Sequence, residues 1–170
     1  RNGVIEDAGK MWWDVRPNPH HPALEVRVMD SCTGIDDAAC LAALIVSLAR
    51  RLYRFRLQNR TWRLHPNMLI AENRWRAMRY SVDGKLLDLA RGELVAFPQL
   101  VEELIELVRE DAGELGCLRE LEHLRSICSG GTSAHRQIRM FEEARAAGAS
   151  GREALQAVVD FLVKETKAGP

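Results

Sequence analysis

The hydrophobic and polar positions between residues 24 and 30 alternate strictly, and this period predicts a half-buried β-strand. The apolar side chains Leu24, Val26 and Val28 share one face, while Glu25 and Arg27 project from the other. Residues 12–16 are predicted as a second strand, because Trp and Val favour a pleated surface. Three prolines between residues 17 and 22 exclude a helix between these strands.

After Thr33-Gly34 the apolar residues recur at helical spacing. Helices are predicted over about residues 35–55, 66–80, 98–112, 117–128, 132–145 and 153–166. A turn over residues 82–85 is expected to lead into Leu86–Asp88 as the second arm of a short hairpin. The pattern therefore predicts a single α+β domain over residues 1–170. Its strands lie within about 11–30, its helices within about 35–80, and a helical tail covers about 97–167.

Composition narrows the class of function. The chain has 24 Lys and Arg residues and 24 Asp and Glu residues, so its net charge gives no general attraction to nucleic acid or to an anionic membrane. No apolar run approaches the roughly 20 residues that cross a bilayer. The four cysteines form no C-x-x-C pair, so we expect reduced thiols, no zinc site and a cytoplasmic protein.

One local run of positive charge favours an alternative. Six arginines occur between residues 50 and 63 with no acidic residue among them: Arg50, Arg51, Arg54, Arg56, Arg60 and Arg63. Aromatic residues interleave with them, a mixture that can bind single-stranded nucleic acid by phosphate contact and stacking. The alternative interpretation is a helix end that faces solvent or a carboxylate-rich segment. Zero net charge favours this second interpretation, so no nucleic-acid partner is expected.

The strand residues Glu25 and Arg27 are the leading candidates for chemistry. Two residues apart on one strand, they share a face, and Arg16 on the neighbouring strand can join them. The simplest interpretation is a structural ion pair. The functional interpretation is that the carboxylate binds Mg²⁺ while the two guanidinium groups bind phosphate oxygens. Such a set suits phosphoryl transfer, in which positioning and charge neutralisation supply most of the catalysis.

Three blocks of sequence extend this argument. Asp14–Pro17 with Leu24–Arg27, then Glu72–Tyr80, and then Gly131–Gln137 occur in this order. They resemble the D-[IV]-R-P…L-E-[FIV]-R segment, the E-N-[RK]-W-x-A-x-R-Y-G block and the glycine-rich R-Q segment of the carboxylate–amine ligase family, also called type 2 glutamate–cysteine ligases. The ordered set covers most of the chain and is far more specific than E-V-R alone.

This resemblance implies a glutamine-synthetase-like fold, with a curved antiparallel sheet and helices packed outside it. It implies an ATP- and Mg²⁺-dependent reaction in which a carboxylate, such as that of glutamate, becomes an acyl phosphate. An amine such as cysteine then attacks this intermediate to form an amide. By resemblance Glu25 is a Mg²⁺ ligand, and Arg16 and Arg27 are catalytic residues that hold the transferring phosphate.

The block at Glu72–Tyr80 suggests a second set of contacts. Asn73, Arg76 and Arg79 are candidates to bind a substrate carboxylate. Arg76 and Arg79 are three apart on the predicted helix and share one side of it. The alternative is an exposed ion pair between Glu72 and Arg76 beside a buried Trp75.

The chain also departs from the family pattern. The family's N-terminal acidic motif is absent from these 170 residues, so we expect the C-terminal portion of a larger ligase domain that is inactive without the N-terminal part. A non-catalytic remnant or subunit of the ligase scaffold is the alternative, and association into a homo-oligomer is left open. Ser81 stands where the family has Gly, which is expected to alter the backbone at that turn.

Overall fold

Two separate two-stranded antiparallel sheets make up the β-structure of residues 8–168, the part of the chain that the computed structural model describes. Strand β1 (Val15–Pro17) pairs with β2 (Leu24–Val26), and β3 (Lys85–Asp88) pairs with β4 (Glu93–Ala96). Helices account for most of the remaining residues. The predicted α+β class with a helix-rich C-terminal half is therefore confirmed.

The chain divides into two compact units, Arg1–Cys32 and Thr33–Pro170. We call them the hairpin unit and the helical unit. The described part of the hairpin unit contains the 3-10 turn Ala8–Lys10 followed by β1 and β2. The organisation of residues 1–170 as a single domain stays a prediction.

In the hairpin unit, the polar face of the two strands is covered, although the sequence pattern predicts that this face is exposed to solvent. In the register of the strands Arg16 lies opposite Glu25, and the Arg16 residue is only 9% exposed. Leu24 and Val28 on the opposite face are 67% and 50% exposed. The expectation of a buried apolar face is wrong for Leu24 and Val28, whereas Val26 is half-buried. On the polar face, the backbone carbonyl groups of Gly9 and Met11 accept hydrogen bonds from Arg16.

Strand β2 is also shorter than its alternating pattern. The backbone N–H of Arg27 still donates to the carbonyl oxygen of Asp14 at 2.7 Å, but Val26 is the last residue of the strand. Alternation predicts which side chains share a face, whereas strand length depends on the partner. Within the described residues β1 ends the pairing, since it spans only Val15–Pro17.

The helical unit follows the predicted helices closely. Its described helices are α1 (Ile35–Leu57), α2 (Asn67–Tyr80), α3 (Phe97–Glu114), α4 (Leu118–Glu122), α5 (Leu124–Gly130), α6 (Ser133–Ala146) and α7 (Gly151–Lys167). The predicted helix over residues 117–128 is divided at His123, whose ring contacts Asp37 of α1 at 2.9 Å. No helix among the described residues combines the length and the apolar character that crossing a bilayer requires.

The hydrophobic core lies where α1, α3, α4 and α5 meet. Its buried members are Cys40, Ala43, Val101, Ile105, Val108, Ala112, Leu121 and Leu124. The α3 members recur at helical spacing, so that one stripe of this helix packs against α1 and α4. Burial of these apolar side chains supplies most of the favourable free energy of folding in this unit.

A carboxylate extends the core between α1 and α3. Asp111 of α3 is fully buried, and Arg54 Nη1 donates to its Oδ1 at 3.1 Å. Arg50 and Arg51 approach the same carboxylate at 3.5 and 3.9 Å. Half of the basic run therefore faces an acidic segment of α3, which is what the alternative to nucleic-acid binding predicts.

Helices α6 and α7 pack against each other outside this core. Arg136 links them to α1: its Nη2 lies 2.7 Å from Asp37 Oδ2 and its Nε lies 2.7 Å from Glu165 Oε1. Burial raises the pKa of the Asp37 carboxyl, but the hydrogen bonds from Arg136 and His123 outweigh it and hold the pKa below its ordinary value. Ionic contacts thus connect the last two helices to the rest of the unit.

The second hairpin corrects one prediction. Residues Leu86–Asp88 were expected in a second strand arm, but they belong to the first arm, β3, and β4 follows at Glu93–Ala96. The turn between the arms is held by Asp88, whose Oδ1 accepts the N–H groups of Ala90 and Arg91 at 2.7 and 3.0 Å. An Asp that accepts such hydrogen bonds is typical of turns, so this signal was present in the sequence.

Ser81 has a backbone conformation that glycine adopts more easily. It follows α2 with φ 51° and ψ −143°, a region that is costly for a residue with a Cβ atom. This explains why the resembling family has Gly at this position. A non-glycine residue in such a conformation costs on the order of 1–3 kcal/mol.

We expect Ser81→Gly to increase the free energy of unfolding by about 1 kcal/mol, because relief of the backbone strain exceeds the extra entropy of the unfolded chain. Chemical denaturation measures the change. Asn59→Gly is the matched control, since Asn59 has φ 56° but Asn tolerates the left-handed region. An unchanged or decreased stability of Ser81→Gly would show that no strain is stored at this turn.

Candidate active site

The hairpin unit brings Arg16, Glu25 and Arg27 together. Arg16 Nε and Nη2 both lie 2.9 Å from Glu25 Oε2, and Arg27 Nη1 lies 3.1 Å from the same oxygen. Asn18 Nδ2 donates to the other oxygen, Oε1, at 2.7 Å. The predicted sharing of one face is therefore seen in the contacts, and the catalytic roles of these residues stay a prediction.

Arg16 is an anchor in this cluster. Its Nη1 donates to the carbonyl oxygens of Gly9 and Met11 at 2.5 and 3.0 Å, in addition to the two contacts with Glu25. A guanidinium has five N–H groups, so these contacts leave about one of them free. A buried and nearly saturated arginine holds the hairpin together and has little capacity for a ligand.

Arg27 is the accessible cation of the cluster. Its side chain is 35% exposed, and only Nη1 contacts Glu25. The guanidinium carbon also lies 4.7 Å from the centroid of the Trp12 ring, a cation–π contact that restricts the position of the head group. The contacts thus orient Arg27 while leaving N–H groups for an anion.

The cluster carries an excess of positive charge. The hydrogen bond from Arg16 is the largest cause that lowers the pKa of the Glu25 carboxyl, and burial opposes it only partly. Glu25 is therefore a carboxylate at neutral pH, between two guanidinium groups. One net positive charge remains, which favours binding of phosphate or carboxylate groups.

The same contacts make Glu25 a poor metal site on its own. Both of its oxygens already accept hydrogen bonds, from Arg16 and Arg27 on one side and from Asn18 on the other. Among the described residues no group of three or more His, Cys, Asp or Glu side chains is arranged to hold a metal ion. The residues in hand fit an anion, and they do not by themselves fit the several oxygen ligands that Mg²⁺ takes.

The other predicted residues lie on α2 in the helical unit. Asn73 donates its amide to the carbonyl oxygen of Leu87 at 2.8 Å and accepts the N–H of Leu87 at 2.7 Å, so it binds β3 as a neighbouring strand would. Arg76 pairs with Glu72 at 2.7 Å. Arg79 lies over the ring of Tyr80 at 5.9 Å. A role of the three in substrate binding stays a prediction.

The setting of Trp75 differs from expectation. It is 48% exposed, with its ring edge-on to Tyr80 at 5.7 Å, so the expected burial beside the Glu72–Arg76 pair is wrong. No residue of α2 is buried, because this helix packs mainly against the β3–β4 hairpin and not against the hydrophobic core. The amphipathic spacing of a helix does not specify how large its partner is.

Sequence reasoning missed Asn18. Its Oδ1 accepts the N–H groups of His20 and His21 at 2.8 and 2.9 Å, and its amide nitrogen orients Glu25. Asn followed by Pro is a recognised signal for turn initiation. That signal could have identified the turn, but not the contact with Glu25.

Comparison with known proteins gives a consistent result. The family model described as glutamate–cysteine ligase family 2 (GCS2) matches residues 1–160. A protein of Rhodospirillum rubrum named "Putative glutamate–cysteine ligase 2" is 54% identical over 98% of this chain and 43% of its own length. Proteins of the same name from Jannaschia sp. and Paracoccus denitrificans are 44% and 39% identical, over 95% and 96% of this chain. The chain thus spans about 43% of the length of these relatives.

We expect Arg16→Gln to raise the pKa of Glu25 more than Arg27→Gln does, because Arg16 makes two contacts with the carboxylate and Arg27 makes one. Carboxyl-carbon NMR titration of Glu25 measures both values. Arg16→Lys tests whether charge alone suffices, and dispersed amide signals confirm that each variant is folded. Equal pKa values in Arg16→Gln and in the unsubstituted protein would contradict the described contacts.

Proposed function

Because the chain belongs to glutamate–cysteine ligase family 2, we propose that the protein is an ATP-dependent carboxylate–amine ligase that joins glutamate to cysteine or a similar amine. The observation that supports the proposal most directly is the accessible guanidinium of Arg27, fixed by Glu25 and Trp12 in a cluster with net positive charge. The chain spans about 43% of its relatives' length. The activity, the substrates and the partners are therefore proposed for the whole protein of which this chain is a part.

The proposed reaction has two steps. A carboxylate oxygen of glutamate attacks the terminal phosphorus of ATP, and ADP leaves as the acyl phosphate forms. The amine nitrogen then attacks the carbonyl carbon, the bond from this carbon to the phosphate oxygen breaks, and the amine loses a proton. Phosphate and an amide are the products.

The residues of the hairpin unit supply binding and charge neutralisation in this proposal. Arg27 donates to oxygens of the transferring phosphate through the N–H groups that Glu25 leaves free. Arg16 and Glu25 position Arg27, and the positive charge of Arg16 lowers the energy of the developing negative charge. Groups that are already oriented stabilise such a transition state without reorganisation.

Mg²⁺ is a proposed cofactor of the whole protein, and when bound it would neutralise phosphate charge. Glu25 would contribute one oxygen, but the described residues do not complete a Mg²⁺ site. The remaining carboxylates would come from the N-terminal part of the ligase, which is a proposed partner of this chain. Asn73, Arg76 and Arg79 are proposed to bind a substrate carboxylate, and Arg79 is the one of the three whose side chain makes no hydrogen bond or ion pair within the described residues. A cytoplasmic location and a homo-oligomeric state stay predictions.

The alternative is a non-catalytic subunit that retains the ligase scaffold. The structural roles of Arg16 and Asn73 favour it, because the hydrogen bonds of both side chains to backbone carbonyl groups serve the fold without any ligand. Arg27 separates the alternatives. Its exposed guanidinium stabilises little as a surface ion pair, so a planar, oriented fork at this position is better explained by ligand binding.

In the complete enzyme we expect Arg27→Lys to lower kcat/KM for ATP about a hundredfold and to change the melting temperature little. An ammonium group cannot reproduce the planar fork, and loss of one oriented donor typically costs this much. Glu25→Gln should lower kcat/KM as well, because the orienting charge beside Arg27 is removed. Steady-state kinetics and thermal denaturation are measured on the same preparations.

Arg109→Lys is the matched control, since Arg109 makes surface ion pairs with Glu106 and Glu122. Its kinetics should equal those of the unsubstituted enzyme. If Arg27→Lys and Glu25→Gln both turn over normally but melt at lower temperature, the cluster is structural and the proposed site is wrong.

We also expect the 170-residue chain alone to show no ATP turnover coupled to glutamate and an amine, while a longer form that includes the acidic N-terminal motif does. One carboxylate that is already paired with two arginines cannot organise a nucleotide-bound cation. Release of phosphate, with and without the amine, is measured for both forms. Robust amide formation by the 170-residue chain would overturn the assignment of essential groups to the N-terminal part.

A further inference from the structure

The loop between α1 and α2 returns an aromatic side chain to the end of α1. The N–H of Arg60 donates to the carbonyl oxygen of Phe55 at 2.8 Å, and that of Asn59 donates to the carbonyl oxygen of Arg56 at 3.1 Å. With Asn59 at φ 56°, these two bonds form a Schellman motif that ends the helix. Trp62 then stacks on Phe55, with 6.1 Å between the ring centroids and 20° between their planes. The loop is therefore held both where it leaves the helix and at Trp62.

The backbone of this loop has unused hydrogen-bonding groups. Residues 60–66 form neither helix, strand nor turn, and residues 61–64 are exposed. Within the described part of the chain, no hydrogen bond involves a backbone N–H or carbonyl group of residues 61–65. His65 precedes Pro66, a position that favours extended backbone. Five consecutive residues thus offer donors and acceptors to a second extended segment, as an edge strand does.

An open cleft of about 730 Å³ lies along this loop, and its lining includes Arg60, Thr61, Trp62 and Arg63 of the loop and Ala90 of the β3–β4 turn. Trp62 is 51% exposed, so a large part of the indole is available to an apolar side chain. None of the described residues that line the cleft is acidic. No ion pair of Arg60 or Arg63 is found within residues 8–168. The cleft thus combines an apolar contact surface with two uncompensated positive charges.

We propose that this cleft is a docking site for an acidic, extended peptide segment of another protein. The backbone of the peptide pairs with residues 61–65, an apolar or aromatic side chain packs on Trp62, and carboxylate groups bind Arg60 and Arg63. Main-chain pairing of this kind supplies affinity, while the side-chain contacts supply specificity. Trp and Arg are also the residue types that most often dominate the binding energy of protein interfaces.

The charges around the cleft favour a peptide over a nucleic-acid strand. Arg50, Arg51 and Arg54 already form ion pairs with α3, so only a short positively charged segment remains for a ligand. A nucleic-acid strand carries a phosphate charge at every nucleotide, whereas a peptide with two carboxylates matches the two arginines. The inference stands on the geometry of the cleft and does not require the ligase proposal.

Isothermal titration calorimetry on the intact natural protein tests the site with synthetic peptides that are acetylated and amidated at their ends. The acidic probe is Thr-Glu-Val-Phe-Val-Glu-Thr, and the comparison peptide has Gln in place of both Glu residues. The acidic peptide should bind about tenfold more tightly, and its binding should weaken as salt increases, because surface charges are screened. Trp62→Ala, and separately Arg60→Ala with Arg63→Ala, should each raise the Kd of the acidic peptide about tenfold or more.

Methylation of peptide nitrogens tests the main-chain pairing. Two versions of the acidic peptide carry N-methyl groups on alternate residues, in the two possible phases, and both keep every side chain. One phase should bind about tenfold more weakly than the other, because only alternate N–H groups of a strand face its partner.

Trp62→Phe keeps an aromatic ring and should change Kd less than Trp62→Ala does. Arg139→Ala with Arg152→Ala, two exposed arginines of α6 and α7, is the charge-matched control and should leave Kd unchanged. Equal binding of the Glu and Gln peptides, equal binding of the two methylated peptides, or unchanged binding in all the cleft variants would each overturn the proposal. Absence of saturable peptide binding, or displacement of the peptide by an equal concentration of ATP or of a short oligothymidylate, would overturn it as well. Binding is measured without turnover, so the docking site and the ligase reaction can fail independently.

Discussion

The helical unit depends on one buried carboxylate. Asp111 is fully enclosed between α1 and α3, and only its Oδ1 accepts a hydrogen bond, from Arg54. Arg50 and Arg51 complete the compensation by charge at somewhat longer distances. An uncompensated buried charge is strongly destabilising, on the order of 3–5 kcal/mol, so the three arginines must stay close to it. This requirement sets the register of α1 against α3 and determines which arginines remain for ligands.

The hairpin unit also contains a buried charge, but here the charge is positive. There the buried ion is the guanidinium of Arg16, compensated by Glu25 and by the carbonyl groups of Gly9 and Met11. Because the polar face of the hairpin is covered, Arg27 is presented at its edge with defined contacts. Burial of the polar face instead of the apolar face looks unfavourable for stability. It nevertheless provides a positioned cation, Arg27, for the proposed phosphate contact.

Sequence reasoning predicted the helices well and the β-structure less well, for a physical reason. Helices such as α1 and α3 carry their hydrogen bonds internally, so apolar spacing and the early Pro98 locate them. Strand β2 depends on the length of β1, and the covered face of the hairpin depends on carbonyl groups from another segment. The period-two spacing of the strand predicted that Glu25 associates with both arginines. It did not predict that backbone carbonyl groups would take up most of the remaining N–H groups of Arg16.

The arginines of this chain differ in how many of their guanidinium N–H groups already donate hydrogen bonds within the protein. Arg16 uses about four of five, and Arg136 binds Asp37, Glu165 and the carbonyl oxygen of Gly131, so both act mainly in folding. Arg27 commits one contact to a carboxylate and keeps the rest. A sequence motif can show that an arginine occupies a position typical of a family. Whether this arginine can bind a phosphate depends on how many of its N–H groups are free. The structure therefore directs the catalytic hypothesis away from Arg16 and toward Arg27, a distinction that the sequence alone does not contain.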